Sequence, residues 1–426
     1  MGTVRPITFC IVLATLSRRS DGTLSSRRNN PGGGSRLRAL DGLRFLAAFT
    51  VLGYHFTAHG HDNWGPRPSV VFPTLSEVTV YGALGPDLFF VISGFVILMT
   101  AWGRDLPGFV ASRIARLFPA YWAAVLLTTL LLFVLWPGKK DLTPLDALVN
   151  LTMVQKIFSV PHLDGVYWTL WVEFRFYLLI GVLAVVGITR QRILAFAALW
   201  PIVGKLAMRY DADMLHQLLI TEYAPLFAGG MLLYLIHREG HSLLPWLLVG
   251  SNAILAVQSL MGNQVSSLTE DTGVAVRPVV IAILLFGCFV AVAIVTLTPV
   301  SRIGARWLTT VGALTYPLYL LHEYWGWWVI AHLHPALGPY PTLALAVVVA
   351  LAMACLVYFG IERPFAERMR RAVRASLTEQ VASGPRSEIA VPPPSIRPRT
   401  EPLTLPGQES GPVRRTAEVH TTSSLT

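Results

Sequence analysis

The sequence predicts an all-α fold, a polytopic transmembrane helix bundle of about ten spans. Three observations predict it. Of 426 residues, 53% are hydrophobic and only 14% charged, and the mean hydropathy is +0.54, too apolar for the surface of a soluble enzyme of this size. Apolar runs of roughly 16–22 residues recur along the chain, about the length that crosses a bilayer. The basic residues behind the net charge of +10 fall mainly in alternate connecting segments, which marks the cytoplasmic side.

The expected spans cover residues 39–58, 80–101, 117–136, 166–186, 193–209, 222–236, 243–261, 278–297, 311–331 and 342–361. With a cytoplasmic N-terminus, Arg5, Arg18, Arg19, Arg27, Arg28, Arg36 and Arg38 precede the first span. Arg104, Arg113, Arg116, Arg190, Arg192, Arg238, Arg302 and Arg306 fall in inside loops, and Arg363, Arg368, Arg370, Arg371 and Arg374 follow the last span. The outside segments hold Arg67, Lys139, Lys140, Lys156, Arg209 and Arg277. This asymmetry explains the basic balance without nucleic acid as a partner. It also puts both termini in the cytoplasm of a multi-pass protein of the cell inner (plasma) membrane.

Residues 1–36 read as a flexible cytoplasmic leader. Its run "PITFCIVLATL" is too short to span and no small-residue cleavage site follows, so the leader is expected to stay uncut. Residues 37–365 form the membrane domain, and 366–426 read as a basic, disordered cytoplasmic tail rich in Pro, Ser and Thr. The longest outside loop, about 137–165, has room for a short helix at "PLDALVNLTMV". There is no clear internal repeat, which weakens a transporter built on inverted halves. Cys10, Cys288 and Cys355 build neither a disulfide framework nor a zinc site.

Charge at membrane depth is costly, so each charged residue in the bundle needs an account. Arg44 and His55 lie eleven residues apart in "LDGLRFLAAFTVLGYHF". That is about three helical turns, so both project from one face, roughly 16 Å apart along the axis. Arg44 either snorkels to the headgroups or anchors an anion; His55 either sits at the outer interface or performs proton chemistry near neutral pH. Arg113 and Arg116 share one face at the entry to the third span, as topological flanking or as a planar-fork phosphate site. Three arginines with a histidine deeper in suit a phosphorylated carrier with a long arm, and coenzyme A fits that description.

Glu173 and Arg175 are two apart and face different ways, which turns Glu173 to the bundle interior. There it either orients the histidine or an arginine, or closes a structural ion pair. Asp87 stands at the outer start of the second span, beside Gly85, Ser93 and Gly94, which allow close helix approach. Asp87, Trp168 in the fourth span and mid-span His322 are substrate-contact or structural candidates. His59, His61, His162, His332 and His334 read as outer-loop residues. Their spacing supports no metal site, so the metal expectation is none.

Five stretches in order resemble the acyltransferase-3 family of membrane O-acyltransferases: Arg44 to His55, "GPDLFFVISGFVI", Arg113 with Arg116, "YWTLWVEFRFYLL" and "TYPLYLLHE". The resemblance covers about residues 37–365, including the closing "IERPF". It implies acyl transfer from cytoplasmic acyl-CoA to a hydroxyl, often on a sugar of a surface glycan, lipid or antibiotic. It implies His55 as the catalytic histidine and Arg44, Arg113 and Arg116 as CoA ligands. Many members carry a fused hydrolase-like domain, which is not expected here.

The expected reaction uses His55 as general base on the acceptor hydroxyl, assisted by Glu173, with an acyl-histidine intermediate as a second route. No permanently bound cofactor is expected. The expected partners are acyl-CoA (probed first as acetyl-CoA), membrane lipid, and a hydroxyl acceptor on a carbohydrate or macrolide-type metabolite. Arg-, Ala- and Pro-rich usage fits a high-GC bacterium. A transporter or flippase for an anionic lipid-linked sugar would use the same arginines without chemistry, and a membrane sensor is a third reading.

Overall fold

A computed structural model describes residues 37–383. The expectations for residues 1–36 and 384–426 lie outside the described residues. Among the described residues every regular element is helical, as the composition requires. In chain order the long helices are α1 (Arg38–Thr57), α2 (Gly85–Ala101), α3 (Leu106–Leu130), α4 (Trp168–Val186), α5 (Arg190–Arg209), α6 (Ala224–Glu239), α7 (Leu243–Thr272), α8 (Pro278–Leu297), α9 (Arg306–Leu337), α10 (Pro339–Val357) and α11 (Arg363–Ser383).

Among the described residues, seven helical stretches are long and apolar enough to cross a membrane: Pro73–Ala101, Leu106–Leu135, Gly165–Val186, Arg190–Arg209, Leu243–Thr272, Pro278–Leu297 and Pro339–Glu379. The sequence expectation of about ten spans also counted α1, α6 and α9, which do not meet this measure. α6 has only 16 residues, and α1 and α9 carry polar residues that their place in the bundle allows. An enclosed helix faces protein rather than lipid and tolerates polar side chains. All side chains of α6 from Ala224 to Ile236 are buried, against α2, α5, α7 and α8. α1, with Asp41 and Arg44 in its first turns, packs against α2, α8 and α9. The outer helices instead expose apolar side chains, such as Leu126, Val182, Val279, Ile283 and Val348, which suit a lipid surround.

Two glycines on α9 fix its position against α1. A Cβ on Gly312 would overlap Asp41, and one on Gly326 would overlap the Phe56 ring. Only a bare backbone allows this approach, and it brings the far halves of the two helices together. Gly94 of α2 makes a similar close approach, here to the backbone of Phe227 on α6.

At one end of the bundle, Arg38 donates to Gly304 O, Arg116 pairs with Glu362, and Arg374 lies 3.5 Å from Asp105. At the other, His59 meets Asp271 and Lys139 meets Asp62, each at 2.7 Å, and Ser69 donates to Thr272 O at 2.7 Å. We call these the arginine end and the histidine end.

Three expectations are corrected here. The tail was expected to be disordered from residue 366, but helix continues to Ser383. The chain leaves α10 through a wide turn at Tyr358–Glu362 with i→i+5 bonding, then docks α11 on α3 with Met369, Val373 and Leu377 half-buried. Their spacing of four makes an apolar stripe within a basic stretch, which overall charge conceals. His332 and His334 lie within α9 rather than in a loop, because α9 extends past Pro335 to Leu337. The seventh span runs on to Thr272, which carries Glu270 and Asp271 to the histidine end. The short helix expected in the 137–165 loop is present at Pro144–Asn150, where Thr143 and Asp146 form a capping box.

Candidate functional site

The arginine end encloses a cavity of about 350 Å³ lined by Arg44, Arg104, Arg113, Arg116, Glu173, Tyr177, Tyr316 and Arg370, with Ile92, Ser93 and Val96 at its apolar side. The expected trio Arg44, Arg113 and Arg116 therefore does converge, from α1 and α3. Their states differ. Arg116 is paired with buried Glu362 and lies 5.4 Å from the Tyr316 ring centroid. Arg113 lies over the rings of Phe109 and Tyr177, with its Nε donating to Ser112 Oγ at 3.2 Å. Among the described residues no carboxylate lies within ion-pair distance of Arg44 or Arg113.

Glu173 faces the interior, as the two-residue offset from Arg175 predicts. Its Oε1 accepts from Tyr177 Oη at 2.6 Å and from Ser93 Oγ at 3.1 Å. Arg175 leaves in another direction, its Cζ 5.1 Å from the Trp171 ring centroid and its guanidinium donating to Gln217 O. The expectation that Glu173 assists His55 is corrected: Glu173 lines the arginine cavity, and its hydrogen bonds reach no histidine. Three turns of helix separate Arg44 from His55, and Glu173 stands in the cavity that Arg44 lines.

His55 has a different neighbour. His322 Nε2 lies 2.9 Å from His55 Nδ1. The partners assign both tautomers. His322 Nδ1 lies 2.9 Å from Tyr319 O and 3.1 Å from Leu318 O, and carbonyls only accept, so this nitrogen carries the proton. His322 Nε2 then offers a lone pair, and His55 Nδ1–H donates to it while also facing Val51 O at 3.1 Å. His55 Nε2 keeps its lone pair, the form a general base needs. His322 is fully buried, so its orientation is held by packing as well as by α9's own carbonyls.

Further hydrogen bonds surround this pair. His55 O accepts from Trp327 Nε1 at 3.1 Å and from His61 Nε2 at 3.1 Å. Asn63 N donates to His61 Nδ1 at 3.2 Å. Burial, then neighbouring His59, pushes the His61 pKa down to about 3, which keeps that ring neutral. His59 stacks on Trp327, centroids 5.6 Å apart and planes 12° apart, and meets Asp271 at 2.7 Å. Tyr54 Oη and Gly60 N also donate to Asp271 Oδ2, each at 3.1 Å. A polar cavity of about 460 Å³ opens beside this cluster, lined by His61, Asp62, Arg67, Glu270 and Asp271. Among the described residues no group of three His, Cys, Asp or Glu is arranged to hold a metal ion.

The remaining candidates lie elsewhere. Asp87 is buried and accepts from Gln264 Nε2 at 2.9 Å, a polar tie between α2 and α7. Trp168 packs with Phe90 and Tyr223 in an aromatic cluster. Neither residue lines the arginine cavity or bonds to His55. Glu362, Tyr177, Asp271 and Trp327 were not singled out from the sequence. Glu362 stands in the quoted "IERPF", and Trp327 follows His322 by five residues, on past the quoted "TYPLYLLHE".

The fold and these sites define a polytopic helical membrane protein with an arginine-lined chamber at one end and a paired histidine toward the other. The family description "Acyltransferase domain", that of the acyltransferase-3 family, matches residues 37–360, and the chain belongs to this family. Over 150 residues the chain is 29% identical to Acyltransferase MdmB of Streptomyces mycarofaciens, covering 34% of this chain and 38% of that protein. The matched stretch thus spans well under half the length of that relative. No solved structure matches the chain.

Proposed function

We propose that this protein transfers a short acyl group from acyl-CoA to a hydroxyl of a sugar-containing acceptor. The observation that carries this reading is the tautomer of His55, whose Nδ1–H is held by His322 while Nε2 is left as a base. The acceptor hydroxyl gives its proton to His55 Nε2 as its oxygen attacks the thioester carbonyl. The tetrahedral adduct collapses, the C–S bond breaks, and the CoA thiolate takes the proton back from His55. The acylated acceptor and free CoA leave, and the histidine is regenerated.

The arginine chamber suits the donor, because guanidinium forks match phosphate oxygens and, among the described residues, no carboxylate lies within ion-pair distance of Arg44 or Arg113. The polar cavity beside Trp327 and His61 suits a hydroxylated acceptor, which presents apolar ring faces and hydroxyls together. The basic asymmetry supports donor entry from the cytoplasm of an inner (plasma) membrane. The deciding experiment follows thiol release by the purified protein with acetyl-CoA and a panel of glycans, glycolipids and glycosylated macrolides. Acceptor-dependent release of CoA supports the reading; binding of intact glycolipid without release from any acyl-CoA would overturn it in favour of transport.

A further inference from the structure

The arginine chamber has a wall that the family match does not include. The match ends at residue 360, yet Ala366, Glu367 and Arg370 of α11 line the same cavity as Arg44 and Arg113. α11 is held in place at both ends of this wall. Glu362, in the wide turn before it, pairs with Arg116, and Arg374 reaches Asp105, the residue that caps α3 through Gly108 N. The loop between α2 and α3 adds Arg104 to the same cavity.

The charge count at this mouth is unbalanced. Among the described residues, five guanidiniums line the cavity against two carboxylates, Glu173 and Glu367, with Glu362 paired to Arg116. Glu367 pairs with Arg370 at 2.7 Å, both more than half exposed, a contact worth little in water and easily exchanged for a better anion. Arg104 is exposed, and among the described residues no carboxylate lies within ion-pair distance of it. Burial of its inner part, then the like charges of Arg113 and Arg370, lowers its pKa from the usual arginine value. Like charges gathered at a cavity mouth repel unless an anion joins them.

We infer that Arg104 and Arg370 form an outer phosphate subsite for the nucleotide end of the donor, distinct from the inner arginines Arg44 and Arg113. This inference rests on the acyl-CoA reading above. The inner arginines stand next to the apolar wall of Ile92 and Val96, where the arm of the donor turns into the bundle. The outer pair meets what remains in water, the multiply phosphorylated nucleotide. α11 is then part of the donor site. It makes the protein discriminate an acyl group carried on CoA from the same acyl group on pantetheine, which lacks every phosphate. The shared chemistry is a clustered phosphate anion, which an anionic lipid headgroup at the membrane surface also offers.

The test uses the full chain in neutral detergent and in nanodiscs with and without phosphatidylglycerol. Arg104→Gln and Arg370→Gln are each expected to raise KM for acetyl-CoA about tenfold, the loss of one charge-assisted hydrogen bond. KM for S-acetylpantetheine is expected to stay unchanged. Adenosine 3′,5′-bisphosphate is the binding probe. It is expected to bind wild type in detergent, by calorimetry, and to bind each variant about tenfold more weakly. Equal effects on both thioesters, or bisphosphate binding that neither substitution weakens, would overturn the subsite. So would an effect confined to nanodiscs with phosphatidylglycerol, which would assign the arginines to lipid. If wild type releases no CoA from any donor, the acyl-CoA reading fails. Bisphosphate binding that still depends on Arg104 and Arg370 would then uphold the phosphate subsite separately.

Discussion

His322 Nε2 accepts the hydrogen bond of His55 Nδ1–H at 2.9 Å, although the two residues are 267 positions apart. One imidazole thereby sets the tautomer of the other, the task usually given to a carboxylate or carbonyl. A neutral partner has a different effect from a carboxylate. It orients the imidazole without adding negative charge, so under the proposed reaction proton pick-up would rely on prompt return to the leaving thiolate.

Loss of the base is the first prediction. His55→Ala is expected to lower CoA release by about 10²–10⁴-fold, the usual contribution of a general base. The protein should still elute as a single species in detergent. Turnover near wild type would remove His55 from the chemistry.

His322 is a positioning residue, and its substitution should divide the kinetic constants. His322→Gln retains an acceptor near the Nε2 position and is expected to keep more kcat than His322→Ala, which should lose about tenfold or more. KM for the donor should not move in either variant. Equal losses in both would mean that His322 acts only through packing.

Arg113 and Arg116, equivalent in sequence, are predicted to part company. Arg116 is tied to buried Glu362, so Arg116→Ala strands a carboxylate and is expected to cost about 3–5 kcal/mol of stability. Arg113 has ring and hydroxyl contacts only, so Arg113→Ala should leave thermal stability nearly intact and raise KM for acetyl-CoA. Melting curves of the two variants beside their donor KM values check this. A stability loss as large in Arg113→Ala as in Arg116→Ala would contradict the assignment.

The loop histidine His61 predicts an acid limit. Its folded pKa is held near 3, against an ordinary 6.5. Between those values the unfolded chain binds a proton that the folded chain refuses, so stability is lost as pH falls through 6.5. At pH 5 the loss from this residue is about 2 kcal/mol. His162, held near 4 by burial and then Lys156, acts with the same sign. His61→Asn should flatten the dependence of Tm between pH 7 and 5, and an unchanged slope would place the acid sensitivity elsewhere.

The parts of the site that follow helical periodicity were legible in the sequence. Arg44 and His55 share a face because of their eleven-residue spacing, and Arg113 joins Arg116 because of theirs. The inward turn of Glu173 followed from Arg175 two places on. Its destination did not, because depth along the bundle depends on which helices neighbour it. The His55–His322 bond was hidden for the same reason: it depends on Gly312 and Gly326 letting α9 lie against α1, and no local pattern encodes that contact. The count of about ten spans is not confirmed where a hydropathy window meets enclosed helices, since α6 is short and α1 and α9 turn polar residues toward each other and the site.

α7 has 30 residues, so it is about 45 Å long, against a hydrocarbon layer about 30 Å thick. Some ten residues are surplus to the crossing, and Asp271 sits in the final turn, gripping His59, Tyr54 and Gly60. The helix works as a mooring post, its last turns longer than a crossing needs and its head tied to the loop after α1. On the proposed reading, a bulky polar acceptor would dock on this post and offer a single hydroxyl downward, with no need for the rest of the molecule to dissolve in oil.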